Sequence, residues 1–239
     1  MTNFRQSGVQ LSPSALPVTQ LPIAGALLAG GQSRRMGRDK AFLETDGRPL
    51  VQRSLETLGK VCSEVVISAG KMEPYAHFGV PVVRDLYPGQ GPLGGLISVF
   101  EAISCDLLFL TACDMPFLQE NAIRYIYAQM SDYDIVVPET GGKLHTLHAL
   151  YHRRAASAAM SVFQSGKRSL ACLVQTCRTC VLRQNAAEIG GTLNIAGAIG
   201  DWCVKPVPEA WSVILDRSVI NVNTQDEWTE ALRLESFLN

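Results

Sequence analysis

The chain has 239 residues, 47% of them hydrophobic, with a formal net charge of −1. That length allows one or two domains around a sizeable core. The near-zero charge excludes a global basic field for nucleic acid or a membrane surface.

Residues 1–20 carry Ser, Gln, Thr and two prolines without periodicity, which predicts a flexible N-terminal extension. They lack a charged start followed by an apolar core, and no apolar run approaches the length of a membrane span. Seven cysteines at irregular spacings then fit a reduced, cytoplasmic setting with free thiols. The Cys177-Arg-Thr-Cys180 pair precedes an apolar Val181-Leu182 and reads as ordinary buried cysteine, because a zinc site needs a matching second pair.

Ile23 to Ala29 is an apolar run that predicts a short buried strand. Gly30-Gly31 follows, and Arg34, Arg35, Arg38 and Lys40 lie within the next ten residues. A glycine turn lets the backbone approach a ligand closely, and its amides with nearby cations suit a polyphosphate. Gly37 is followed by Arg38, which excludes a P-loop, and Gly30, Gly31 and Gly37 have the wrong spacing for a dinucleotide fingerprint.

Leu50 to Leu58 has helical spacing behind Pro49. Val65 to Ile67 and Val80 to Val83 read as strands, and the second delivers Asp85. A glycine-rich loop from Tyr87 to Gly95 leads into a helix over Leu96 to Ile103. Leu107 to Leu110 is the apolar strand expected of a sheet covered on both faces, and it delivers Asp114. A helix over Asn121 to Met130 and a strand over Ile135 to Val137 follow. Leu144 to Tyr151 reads as strand, so His148 and His152 do not share a helical turn, and His145, His148 and His152 are read as structural. Ala155 to Phe163 and the segment opened by Lys167-Arg168-Ser169-Leu170 are helical. Residues 184–217 read as a divergent insertion or loop, with a small β excursion over Trp211 to Leu215. Val219 to Thr224 reads as a strand that points Asn221 and Asn223 to one side. Thr224 and Glu227 have capping-box spacing, so a last helix runs to about Leu238.

This alternation predicts an α/β fold, a mostly parallel sheet with helices on both faces. Ligands of such sheets bind beyond the carboxyl ends of the strands, where the glycine turn, Asp85 and Asp114 all fall.

The stretch Leu28-Ala-Gly-Gly-Gln-Ser-Arg-Arg-Met-Gly-Arg-Asp-Lys40 resembles the signature loop of the molybdenum cofactor guanylyltransferases, within the Rossmann-like nucleotidyltransferases. The resemblance covers roughly residues 22–182 and 218–238. It includes Arg168-Ser-Leu, whose basic residue is expected near the second substrate, and Asn221-Val-Asn223-Thr224, with Gln225 where the family has proline. It departs at His145-Thr146, where the family more often has Gln or His followed by Pro.

The resemblance implies a single Rossmann-like nucleotidyltransferase domain over residues 21–239. It implies transfer of GMP from GTP to the phosphate of molybdenum-bound molybdopterin, with pyrophosphate leaving. Leu28, Ala29, Gly30, Gly31, Lys40, Asp85 and Asp114 would bind the nucleotide. Lys40 and Arg35 would be catalytic, and Asp114 would ligate Mg²⁺. Asn221 and Asn223 would complete the metal or substrate shell, or make a structural hydrogen bond at a strand end. Asp85 has an alternative role in a local turn. Other cofactor-biosynthesis proteins or molybdoenzyme chaperones would be protein partners; nucleic acid and membrane would not. A CTP-dependent enzyme on the same pterin, a sugar-phosphate nucleotidyltransferase and a non-catalytic nucleotide-binding partner are the alternative readings.

Overall fold

The computed structural model describes residues 19–29, 40–45, 47–70, 73–183 and 200–236. Gly30, Gly31, Arg34, Arg35 and Arg38 of the glycine turn lie outside the described residues, as do most of the N-terminal extension and residues 184–199.

Strand β1 (Leu21–Leu28) is the axis of the main sheet. Its side chains alternate between two cores. Leu21, Ile23, Leu27 and the following Ala29 face one layer, whereas Ala24 and Ala26 face the other. A strand buried on both faces needs apolar residues at nearly every position, which is why the segment reads as an unbroken apolar run. The chain then makes a short 3₁₀ turn (Lys40–Phe42) and a small hairpin of β2 (Glu44–Thr45) and β3 (Arg48–Pro49). Helix α1 (Leu50–Val61) follows and leads into β4 (Cys62–Ala69), parallel to β1. The next strand and helix are β5 (Val82–Arg84) and α2 (Gly91–Ala102). Then come β6 (Leu107–Ala112), parallel to β1 on its other side, and α3 (Glu120–Ala128).

The chain reverses after β7 (Ile135–Thr140). Thr140 pairs with Lys143 of β8 (Lys143–Leu144) across Gly141-Gly142, both at positive φ. Two left-handed residues form the turn whose twist matches a tight hairpin. The reversal sends β9 (His148–His152) antiparallel between β6 and β7. Helices α4 (Ala155–Gln164) and α5 (Leu170–Val174) precede β10 (Thr179–Arg183), which runs parallel to β7. Ser169 caps α5 by accepting the Ala171 N–H at 3.1 Å.

The region read as loop contains two regular elements, β11 (Trp202–Pro206) and α6 (Glu209–Ser218). β11 adds a parallel edge strand beside β10. Trp211 to Leu215 is therefore helix and not a β excursion: Trp211 and Leu215, four apart, face one core from successive turns of α6. The segment 219–223 also departs from expectation. It begins at Val219 in the αR C-cap of α6 and pairs with no strand among the described residues, and α7 (Gln225–Ser236) follows it. Glu227 and Thr224 form the expected capping box, with Glu227 N–H donating to Thr224 Oγ1 at 3.2 Å and Thr224 N–H to the Glu227 carboxylate at 3.1 Å.

Among the described residues the main sheet has nine strands, ordered β11-β10-β7-β9-β6-β1-β4-β5 with β8 paired to β7. Helices α1, α3 and α6 cover one face, and α2, α4 and α5 the other. A third cluster joins Leu50, Phe117, Val222, Trp228 and Ala231, and so ties α7 to the start of α1 and the loop after β6.

The packing of α1 on β1 sets a size limit at Gly25. A Cβ there would lie 2.8 Å from Cys62 Sγ and 2.9 Å from Leu58 Cδ2. Overpacking of a close-packed core costs about 1–3 kcal/mol. Gly25→Ala should therefore lower the unfolding free energy by about 1–3 kcal/mol, read as a lower urea midpoint with an unchanged slope; wild-type stability would show that α1 is free to move.

Candidate active site at the carboxyl rim

The carboxyl ends of β1, β4 and β6 are bound together one residue beyond the strands. Ala29 N–H donates to Ser68 O at 2.9 Å, and Cys113 N–H donates to Leu28 O at 3.3 Å. Leu28 and Ala29 are thus fixed at the rim. Lys40 re-enters the described residues as the first residue of the 3₁₀ turn, next to the fully buried Ala41.

Asp85 leaves β5 and closes a local turn. Its Oδ1 accepts the Tyr87 N–H at 2.8 Å and the Ser98 hydroxyl at 3.3 Å. Ser98 is buried within α2 and also accepts the Leu86 N–H at 2.9 Å. The turn-forming role is the one this geometry displays. Sequence reasoning missed Ser98; its signal is one hydroxyl within the otherwise apolar helix run Leu96–Phe100.

The start of α2 presses close to the same rim. A Cβ at Gly95 would lie 3.1 Å from Leu28 Cδ2, and one at Gly94 would lie 3.1 Å from Tyr87 Cβ. The glycines allow this approach. Arg168 braces the helix start from outside. Its Nε donates to Gln90 Oε1 at 2.6 Å, and its carbonyl accepts the Leu93 N–H at 3.4 Å. Its guanidinium stacks 4.2 Å from the centroid of the Phe163 ring.

Asp114 is half-buried in the loop that leaves β6. Its carbonyl accepts the Val222 N–H at 2.8 Å. That main-chain hydrogen bond joins the segment of Asn221 and Asn223 to the Asp114 loop from more than a hundred residues away. The 219–223 segment is held by this contact and by burial of Val219 and Val222, in place of a strand ladder.

The reversed strand β9 begins on the same side of the sheet. His145 N–H donates to Pro138 O at 2.9 Å, and its Nε2 lies 2.7 Å from Thr140 Oγ1. Burial and then Lys143 lower its pKa to about 4. His148 is fully buried, stands edge-on to Phe109 at 5.1 Å between ring centroids, and has no hydrogen-bond partner for either nitrogen among the described residues. Burial and then His145 lower its pKa to about 3. At the ends of β7 and β10, Arg183 donates to Glu139 Oε2 through Nε at 2.8 Å and through a second nitrogen, in a pair of nearly buried side chains. This ion pair too was absent from the sequence reading, since its partners are 44 residues apart.

The cysteines match the expectation of free thiols. Cys177 and Cys180 are buried, and desolvation raises their pKa values to about 11 and 12. No described helix is long and apolar enough to cross a membrane.

Residues 25–181 match the family model described as a MobA-like NTP transferase domain. A protein of Clostridium perfringens named as a probable molybdenum cofactor guanylyltransferase is 37% identical over 131 residues, or 54% of this chain. The match spans 66% of that relative's own length, just under two-thirds. A Mycobacterium tuberculosis protein with the same name is 36% identical over 188 residues, covering 75% of this chain and 92% of its own. The crystal structure of a molybdopterin-guanine dinucleotide biosynthesis protein A from Archaeoglobus fulgidus superposes with a TM-score of 0.68 at 18% identity, over 89% of this chain and 98% of that one. At that identity the likeness establishes the fold.

Buried His148 and half-buried His145 make stability depend on acid. Their folded pKa values lie below the ordinary 6.5, so between about 4 and 6.5 the unfolded chain binds more protons. Stability therefore rises with pH across that window and falls as the solution is acidified through it. Urea midpoints at about pH 7 and about pH 5 should show the loss, and His148→Leu should narrow the gap. An unchanged gap would assign the acid sensitivity elsewhere.

Proposed function

Because the chain belongs to the MobA-like NTP transferase family, we propose that it transfers GMP from GTP to the phosphate of molybdenum-bound molybdopterin, forming the guanine dinucleotide cofactor and releasing pyrophosphate. The observation that supports this reading is the 2.8 Å main-chain hydrogen bond from Val222 N–H to Asp114 O, which joins the segment carrying Asn221 and Asn223 to the loop at the carboxyl end of β6.

Nucleotidyl transfer needs little covalent chemistry from the protein; positioning and charge stabilisation carry the rate. In this reading the amides around Gly30 and Gly31 hold the triphosphate against the ends of β1 and α2. Lys40 and Arg35 offset the charge that builds at the α-phosphorus, and Asp85 shapes the nucleotide wall through its turn with Ser98. The acceptor phosphate is already an anion at neutral pH, so no general base is required. His145 and His148, neutral and enclosed, are consistent with that.

The donor set at Asp114 fits a hard divalent cation such as Mg²⁺, which takes one or two carboxylates and keeps several waters. Among the described residues no group of three His, Cys, Asp or Glu side chains offers a closed metal cage. Asp114 is the assigned ligand, with Asn221 and Asn223 as oxygen donors to the metal or the acceptor. When bound, the cation supplies charge neutralisation on the phosphate oxygens. A preference for GTP rests on Gly30-Gly31 and on Gly91-Pro92-Leu93, whose position is set by Arg168.

Purified protein supplied with Mg²⁺, molybdenum-bound molybdopterin and either GTP or CTP tests the proposal through pyrophosphate and dinucleotide formed. Product with GTP and little with CTP is expected. Product with CTP alone would change the nucleotide, and GTP binding without product from either would point to a non-catalytic nucleotide-binding role. Lys40→Ala should lower kcat/KM by roughly 10²–10³-fold, the scale of losing one preorganised charge, with the thermal midpoint near wild type. Asp114→Ala should lose activity and Mg²⁺ dependence together; full Mg²⁺-dependent turnover would remove Asp114 from the metal.

A further inference from the structure

A second basic site lies behind the loop that carries Asp114. A cavity of about 120 Å³ is lined by Arg53, Ser54 and Thr57 of α1, by residues 116–119 of the β6–α3 loop, and by Arg217 of α6. That is room for about four waters, or one phosphoryl-sized group. Among the described residues no carboxylate lines it.

Arg217 is held in place there. Its guanidinium lies 5.5 Å from the centroid of the Phe117 ring, and its buried Nε has no hydrogen-bond partner among the described residues. The neighbouring Ser218 Oγ accepts the Gln119 N–H at 3.0 Å and joins α6 to the loop. A buried charged donor without an acceptor is costly, and an oxyanion entering the cavity supplies one. Arg53, Ser54 and Thr57 line the same cavity, with the Thr57 hydroxyl donating to Arg53 O at 3.1 Å.

We infer that this cavity is an oxyanion site, separate from the nucleotide-binding rim, that takes one phosphoryl group, either as inorganic phosphate or as one end of pyrophosphate. Phe117 forms its wall and also packs with Leu50 and Val222, so an anion bound here braces the loop between Asp114 and α3 from behind.

Calorimetric titration of the full chain with inorganic phosphate, and separately with pyrophosphate, tests the site without turnover. Saturable phosphate binding is expected, weakened at least tenfold, or about 1.4 kcal/mol, by Arg217→Gln. Thr57→Val is the milder second variant and should weaken binding without unfolding the chain. Amide resonances of Leu118 and Gln119 should shift on phosphate addition. Binding of both anions would describe a cavity open to the longer one, and binding of phosphate alone a closed one; each sustains the site. Binding lost in Lys40→Ala but kept in Arg217→Gln and Thr57→Val would place the anion at the glycine turn and overturn the inference. So would the absence of saturable binding by either anion.

Discussion

A single main-chain hydrogen bond, Val222 N–H to Asp114 O at 2.8 Å, decides which residues share the carboxyl rim. It joins the loop after the central strand β6 to a segment that precedes the last helix. The apolar contacts around it make the join specific: Val222 packs with Phe117, Leu50 and Trp228. One backbone bond contributes only about 0.5–1.5 kcal/mol, so the burial of these side chains supplies most of the holding energy. The bond joins the backbone that carries Asn221 and Asn223 to the backbone of Asp114.

The same rim is shaped by how closely helix α2 can approach. Gly94 and Gly95 bring the helix against Tyr87 and Leu28, and Ser98 one turn further on reaches Asp85. A residue with a Cβ at either glycine would crowd those contacts. The turn at Asp85, the end of β1 and the start of α2 therefore form one packed unit. Its geometry follows from small residues on the helix more than from attraction between polar groups.

On the other half of the rim the polar groups are enclosed and paired. Arg183 and Glu139 neutralise each other at the ends of neighbouring parallel strands. A buried pair of this kind is weak evidence for stability, because desolvation offsets much of the attraction. Its effect is to leave neither charge unpaired where β7 and β10 end. His148 is a different case, a ring kept neutral by burial against Phe109.

The amino-acid sequence by itself determined the alternating strands and helices from β1 to β10 in outline and the last helix. Unbroken apolar runs such as Leu107–Leu110 require a sheet covered on both faces, and the Thr224–Glu227 spacing starts a helix wherever the chain is placed. It also located Asp85 and Asp114 just beyond strand ends, since those positions depend on local pattern. The reversal at Gly141-Gly142, which turns β9 antiparallel, became visible only in the sheet. Tertiary structure alone decided the rest. Residues 219–223 look like a strand because Val219, Asn221 and Asn223 alternate with Ile220 and Val222, yet they find no ladder partner and bind Asp114 instead. Trp211 to Leu215 carries an apolar pattern that suits either period, and packing of Trp211 and Leu215 on one face made it helix. The Asp85–Ser98 bond, the Arg183–Glu139 pair and the Arg53–Arg217 cavity join residues 13 to 164 positions apart. Contacts of that range leave no local periodicity, so they exist only once the helices have packed on the sheet.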